Sequence, residues 1–268
     1  MAALSTPREL PEGHPQRARL EPLVAAAASA LRGWQPVWSG FLDADLREQA
    51  ETWLGDLSDL SLASWGGFAG AERRRLLLQP SEALAIDPAD TNQLSIGLAG
   101  LTISGNFLFD PAEAADFRAA LAAAGATTAE LGDLWLRGDR GAQAVASSAL
   151  AERLDGGSGL VRTVEVRFEA RPLTELQPPA ARPRRTLSSV EASLRVDAVG
   201  SAGFGLSRSR MAEQIRQGAV RINWQTVTSP SRELVVGDRV QLENRGELAI
   251  QSVDRTRRDR FRIQMERR

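Results

Sequence analysis

The stretch RPLTELQPPAARPRRTLSS, residues 171–189, constrains the fold of this chain most: its four prolines deny it a helix interior or a central strand. The pattern predicts a linker over 172–187, separating two folded parts at 17–171 and 188–268. Length agrees, since 268 residues exceed the roughly 100–200 of one domain. Charge divides at nearly the same place. Residues 1–160 hold 12 arginines against 21 acidic residues, and 161–268 hold 21 arginines against 13. A polyanion is therefore expected on the C-terminal part.

Several classes of chemistry are excluded early. There is no cysteine, hence no disulfide, thiolate metal site or cysteine nucleophile. The single histidine, His14, stands in a Pro/Gly-rich segment, so neither a Ser-His-Asp triad nor a multi-histidine metal centre can be assembled. No metal, no cofactor and no small-molecule substrate are expected. No apolar run approaches the roughly 20 residues of a membrane span, and the N-terminus lacks an apolar signal core. The chain reads as cytoplasmic, with residues 1–16 a disordered tail. All 33 basic residues are arginine, so a single arginine carries little information.

Between the tail and the linker, apolar spacing predicts helices at 17–31 and 44–60, then strands at 62–68, 74–79, 94–104, 131–138 and 160–170. Helices are expected at 110–125, with Asp110 as N-cap and Pro111 at the first helical position, and at 146–154. The order implies an α+β sandwich with helices on one face. Asp43/Asp45 and Asp87/Asp90 read as caps and turns, and the tryptophans as core. Arg73, Arg74 and Arg75 read either as a charged helix end or as a polyanion contact.

After the linker, a short helix is expected at 188–200 and a second from Ser207 to Gln217, capped by Ser207 and closed by Gly218. Leu206 and Met211 fall at the staple positions. Arg208 and Arg210 occupy the second helix's first turn, where the dipole disfavours cations unless an anion joins them; a phosphate is the expected partner. On that reading their removal leaves stability unchanged or slightly higher. Arg210, Gln214 and Gln217 share one face at i, i+4, i+7. Val220, Ile222 and Trp224 alternate inward with Arg221 and Asn223 outward; a strand follows at 237–243. The chain closes on a hairpin around Arg257 to Asp259, with Phe261, Ile263 and Met265 on one face.

The run from LRVDAV (194–199) through SRSRMAEQIRQGAVRINW (207–224) to PS (230–231) and GD (237–238) resembles the S4-type RNA-binding domain. The resemblance implies two helices on a small sheet. It carries Arg195, Ser207, Arg208, Ser209, Arg210, Gln214, Arg216, Arg221 and Asn223 over as RNA contacts. Two positions depart from the pattern: Gly200 replaces an aliphatic residue, which predicts an early end to the first helix, and Trp224 replaces the glycine usual after the Asn. Asn-Trp, together with FLDADLREQAE (41–51), GGFAGAERRRLLLQP (66–80), LGDLWL (131–136) and RTRRDRFRI (255–263), resembles the YlmH-like subgroup, and within it the cyanobacterial and plastid photosystem II S4 domain type. That likeness implies an N-terminal sandwich similar to an RNA-recognition fold, and makes Arg73, Arg74, Arg75, Arg257, Arg258 and Arg260 secondary RNA contacts. The family's His-Arg-Asp before the middle helix is replaced by AADFR (114–118).

The leading expectation is a non-catalytic protein that binds structured RNA, ribosomal RNA or ribosome-associated tRNA. The resemblance implies ribosome-associated quality control or photosystem II biogenesis and repair. The alternatives are an RNA-modifying enzyme, pseudouridine synthase-like or methyltransferase, that uses the S4 module for substrate binding, and a protein-interaction adaptor working through the acidic part. GSAGFG (200–205) is not read as a nucleotide loop, since no strand precedes it and no Gly-Lys-Ser/Thr follows.

Overall fold

The computed structural model describes residues 17–83, 97–180, 184–242 and 245–268. The expected tail at 1–16 with His14, the Asp87/Asp90 pair, residues 94–96 and Glu243 lie outside the described residues. The chain is α+β, and it divides into two compact units, Met1–Ala181 and Arg182–Arg268.

In the first unit, α1 (Arg17–Gly33) and α2 (Ala44–Leu54) lie against a small antiparallel sheet of β1 (Val37–Trp38), β2 (Leu60–Trp65) and β3 (Arg75–Pro80), ordered β1-β3-β2. Leu20, Leu23, Ala27, Ala30 and Leu31 form the buried stripe of α1, the 3–4 spacing that brings one helical face to a core. They close over Leu76 and Leu78 of β3. Asp43 starts α2 by accepting from the Leu46 N–H at 2.9 Å. The helix expected to reach residue 60 stops at Leu54, with Gly55 at its C-cap.

The remainder of this unit is β4 (Leu98–Ser104), α3 (Ala114–Ala123), β5 (Leu131–Leu136), β6 (Gly141–Ser147), α4 (Ser148–Leu154), β7 (Ser158–Val161) and β8 (Val164–Arg171). The five strands are antiparallel in the order β5-β6-β4-β8-β7. Phe117, Leu121, Leu150 and Leu154 from the helices pack on Leu101, Ile103, Val166 and Phe168 of one sheet face. On the other face Phe41, Trp135, Val145 and Leu176 form a second core. A Cβ on Gly100 would come within 2.7 Å of Leu176. The chain itself therefore covers that part of the sheet.

Several expectations for this unit need correction. The strand expected at 160–170 is a hairpin, turning at Arg162–Thr163. Helix α3 begins at Ala114 rather than after Asp110, because the Asp110 carboxylate is taken by Arg162 Nε at 2.8 Å and by the Thr163 hydroxyl at 2.6 Å. Residues 173–175 form a 3-10 turn whose Leu173 joins the second core, so the start of the expected linker is docked by apolar burial. The tryptophans are not uniformly core: Trp135 is 9% exposed, whereas Trp34 is 50% exposed.

The second unit contains β9 (Arg185–Glu191), α5 (Val196–Phe204), α6 (Arg208–Arg216), β10 (Val220–Ile222), β11 (Gln225–Thr226), β12 (Arg239–Leu242), β13 (Gly246–Arg255) and β14 (Phe261–Arg267). Its antiparallel sheet runs β11-β10-β12-β13-β14-β9. Val196, Val199, Phe204, Met211 and Ile215 of the helices share a core with Val220, Ile222, Val240, Leu248, Ile263 and Met265.

Here too the structure differs from the expectation. Residues 185–191 are a strand, overlapping both the expected linker and the expected helix at 188–200. They pair with β14 from Glu191↔Phe261 to Arg185↔Arg267, and this edge pairing overrides local propensity. Helix α5 does not end early at Gly200 but runs to Phe204. Gly200 is there for space, since a Cβ would lie 2.6 Å from Met211 Cε on α6. Trp224 is not an inward strand residue; it sits in the turn between β10 and β11.

Candidate nucleic-acid interface

The anion that joins Arg208 is inside the protein. Asp197, in the first turn of α5, has a side chain only 7% exposed and accepts from two guanidinium groups. Arg195 donates Nε and Nη2 to Oδ1 and Oδ2, both at 3.1 Å. Arg208 donates Nε to Oδ2 at 3.1 Å and Nη2 to Oδ1 at 3.2 Å. Burial alone would raise the Asp197 carboxyl, but the two arginines outweigh it and hold it below the usual carboxylate range. The Arg195 guanidinium is correspondingly raised by its bond to Asp197.

This clamp uses one edge of each guanidinium and leaves both Nη1 groups without a hydrogen bond among the described residues. Side-chain exposures of 39% and 55% put Arg195 and Arg208 within reach of a ligand. The two helix starts differ. At α5 the N–H groups of Val196 and Asp197 donate to the carbonyls of Arg232 and Pro230, at 2.8 and 3.2 Å. At α6 Ser207 Oγ accepts from the Arg210 N–H at 3.3 Å, while the N–H groups of Arg208 and Ser209 have no partner among the described residues. The open helix start thus lies beside the clamped pair, an arrangement suited to a phosphate.

Arg210, Arg216 and Arg221 are exposed and carry no ion pair among the described residues. Gln214 donates to Gln217 at 3.2 Å, and Gln217 donates to Glu213 at 3.3 Å, so that face is a chain of amides. The Ser209 hydroxyl lies 3.2 Å from that of Ser207. Asn223 is engaged in the fold: its Nδ2 donates to Asp238 Oδ1 at 2.7 Å, and its Oδ1 accepts from the Arg239 N–H at 2.9 Å. Asp238, 4% exposed, also takes the Val235 N–H at 2.9 Å. The Gly-Asp element is therefore the anchor of the β10–β11 turn.

Trp224, beside Asn223, is assigned to the core by alternation along the strand, whereas the structure leaves it half-buried in the turn. Asn223 and Trp224 have φ of 47° and 69°, a left-handed pair that costs a non-glycine residue on the order of 1 kcal/mol at each position. The Arg239 guanidinium lies over the Trp224 ring, 4.9 Å from its centroid.

Other arginines are neutralised internally. Arg239 reaches Glu247 through Nη2 at 3.0 Å, Arg268 reaches it through Nε at 3.4 Å, and Glu266 is shared by Arg268 and Arg184. At the hairpin tip between β13 and β14, Arg257, Arg258 and Arg260 are exposed and without ion pairs among the described residues.

Arg73, Arg74 and Arg75 do not form a charged helix end, since residues 69–73 are irregular and no helix runs directly into β3. Arg73 donates to the carbonyls of Leu131 at 2.9 Å and Thr128 at 2.7 Å. Arg74 donates to those of Ala71 and Ala69, and Arg75 to those of Ser39 and Gly97. Asp133 completes the joint by accepting the N–H groups of Glu72 and Arg73 at 2.7 and 3.0 Å. Burial lowers all three guanidinium pKa values from the usual level. These side chains are struts tying β3 to neighbouring backbone.

The second unit, with two helices on an antiparallel sheet and an arginine-aspartate clamp at their start, is an S4 domain: residues 194–240 match the family model of that description. Residues 16–83 match the model described as YlmH, N-terminal. The chain thus carries an S4 domain and, ahead of it, a segment similar to the N-terminal part of YlmH. It is 25% identical over 211 residues, 78% of this chain and 79% of the other, to the "Ribosome-associated protein quality control protein P2" of Bacillus subtilis (strain 168). A solved chain described as "Cell division protein ylmH from Streptococcus pneumoniae" aligns with a TM-score of 0.48 at 17% identity, covering 63% of this chain and 98% of that one.

Proposed function

We propose that this protein is a non-catalytic RNA-binding protein whose S4 domain docks on structured RNA of the ribosome, ribosomal RNA or ribosome-bound tRNA. The observation that carries this reading is the clamp: Asp197 holds Arg195 and Arg208 edge-on, beside N–H groups of α6 that have no acceptor, and an exposed Arg210 that has no ion pair, among the described residues. Such a set recognises a phosphodiester through charge and oriented donors. Arg216 and Arg221 extend it, and Arg257, Arg258 and Arg260 supply a second basic edge. The name of the Bacillus relative favours quality control over photosystem biogenesis as the setting.

The test uses the full chain with purified ribosomal subunits and with tRNA, measured over a series of salt concentrations. Binding should fall steeply with salt through counterion release. Arg210→Ala combined with Arg221→Ala should reduce the salt slope by about one for each phosphate that is no longer neutralised. Salt-independent association, or the same slope in the double variant, would refute the reading.

A further inference from the structure

The turn joining β10 to β11 displays a large aromatic ring where the backbone is suited to glycine. Ile222 pairs with Gln225, so Asn223 and Trp224 are the two central residues, and both have positive φ. That geometry is a type I′ turn, most easily closed by Asn-Gly. Asn223 meets the requirement and is fastened to Asp238 and Arg239. Trp224 is strained in the same turn.

The indole is half-buried, and its orientation is set before any ligand arrives. Arg239 lies over the ring, and Arg239 is itself held by Glu247, Nε to Oε1 at 3.1 Å and Nη2 to Oε2 at 3.0 Å. Arg221 is exposed on the adjoining strand, one residue before Ile222 and paired with Thr226 across the hairpin. An aromatic ring braced by Arg239, on a hairpin that also carries an exposed Arg221 without an ion pair among the described residues, supplies the two elements that bind a nucleotide out of its helix: a surface for the base and a cation for the phosphate. Every base has a π-face, so such a platform selects for an unstacked base without choosing which one.

We propose that Trp224 is a stacking platform for an unpaired nucleobase, with Arg239 bracing the ring and Arg221 meeting the adjacent phosphate. This rests on the RNA-binding reading and narrows the ligand to folded RNA that presents a base outside the stack, in a bulge, a loop or a helix end. Regular duplex is a poorer ligand, because its bases are not free to stack on protein.

The full chain would be titrated with two RNA probes, a duplex carrying one bulged adenosine and the same duplex fully paired. Wild type should prefer the bulged probe. Trp224→Gly, which relieves the turn, should lose roughly five- to a hundredfold in affinity for it and stay within about twofold on the paired probe. Trp224→Phe should keep most of the preference. Trp224→Leu, which retains bulk without a π-face, should lose it and serves as the second variant should the glycine variant fold poorly. Equal binding of the two probes by wild type, or a preference unchanged in the leucine variant, overturns the platform and leaves RNA binding standing. Binding of neither probe, with ribosomal RNA also unbound, overturns the RNA reading and the platform with it.

Discussion

Arg208 and Asp197 belong to two different helices, yet Arg208 lays one guanidinium edge on both carboxylate oxygens, at 3.1 and 3.2 Å. The pairing reverses a conclusion drawn from helix electrostatics alone. A cation in a first turn is unfavourable by itself, but this one neutralises a side chain that α5 buries. Removing Arg208 should therefore destabilise the protein. Arg208→Ala is expected to cost about 1 kcal/mol, and Asp197→Asn about 1–3 kcal/mol because it removes the negative charge and turns one of the two acceptor oxygens into an NH2 donor facing the guanidinium groups. Arg210→Ala should leave stability within about 0.5 kcal/mol. Urea unfolding of the three variants checks the order.

Acid should dissolve the clamp. The Asp197 carboxyl is held below its ordinary value of 3.8, so its contribution is fully present above that pH and is lost as pH falls through the lower folded value. Glu130 behaves alike in the first unit: Arg153 and the Thr127 N–H and hydroxyl lower it from 4.5 to about 2. Its contribution should disappear between those two values. Unfolding midpoints recorded from neutral pH downward should converge for wild type and Glu130→Gln as pH approaches 2.

Arg73 and the hairpin arginines should separate cleanly in experiment. Arg73→Ala strips hydrogen bonds from the Leu131 and Thr128 carbonyls and should cost about 2 kcal/mol, with RNA affinity unchanged in the folded protein. Lysine should not restore it, since one ammonium cannot reproduce the planar fork. Replacing Arg257, Arg258 and Arg260 together by alanine should change stability by less than about 0.5 kcal/mol and flatten the salt dependence of RNA binding. Thermal unfolding and affinity measured on one preparation distinguish the two cases.

Gly203 offers a packing test. A Cβ there would meet Leu248 Cδ2 at 2.3 Å, and Leu248 is fully buried. Gly203→Ala gains up to about 1 kcal/mol of helix propensity, but the overpacking it forces costs about 1–3 kcal/mol. A net loss near ~1 kcal/mol is expected in denaturant unfolding.

Where local chemistry decides, the sequence alone was enough. Ser207 before an apolar-periodic run and Gly218 after it marked α6, because caps depend on neighbours a few residues away. Strict alternation marked Phe261, Ile263 and Met265 as one face of β14. Tertiary structure decided what local pattern leaves degenerate. Residues 185–191 became a strand because β14 offers an edge to pair with, and Gly200, inside α5, leaves the space that Met211 fills. Arginines were the least legible of all, since one flexible cation looks the same in sequence whether it meets solvent, carbonyl or carboxylate. Only the folded chain places Arg73 on the carbonyls of Leu131 and Thr128, Arg208 on Asp197 and Arg210 in water. The energy of each depends on partners remote in sequence and on the burial that the fold imposes.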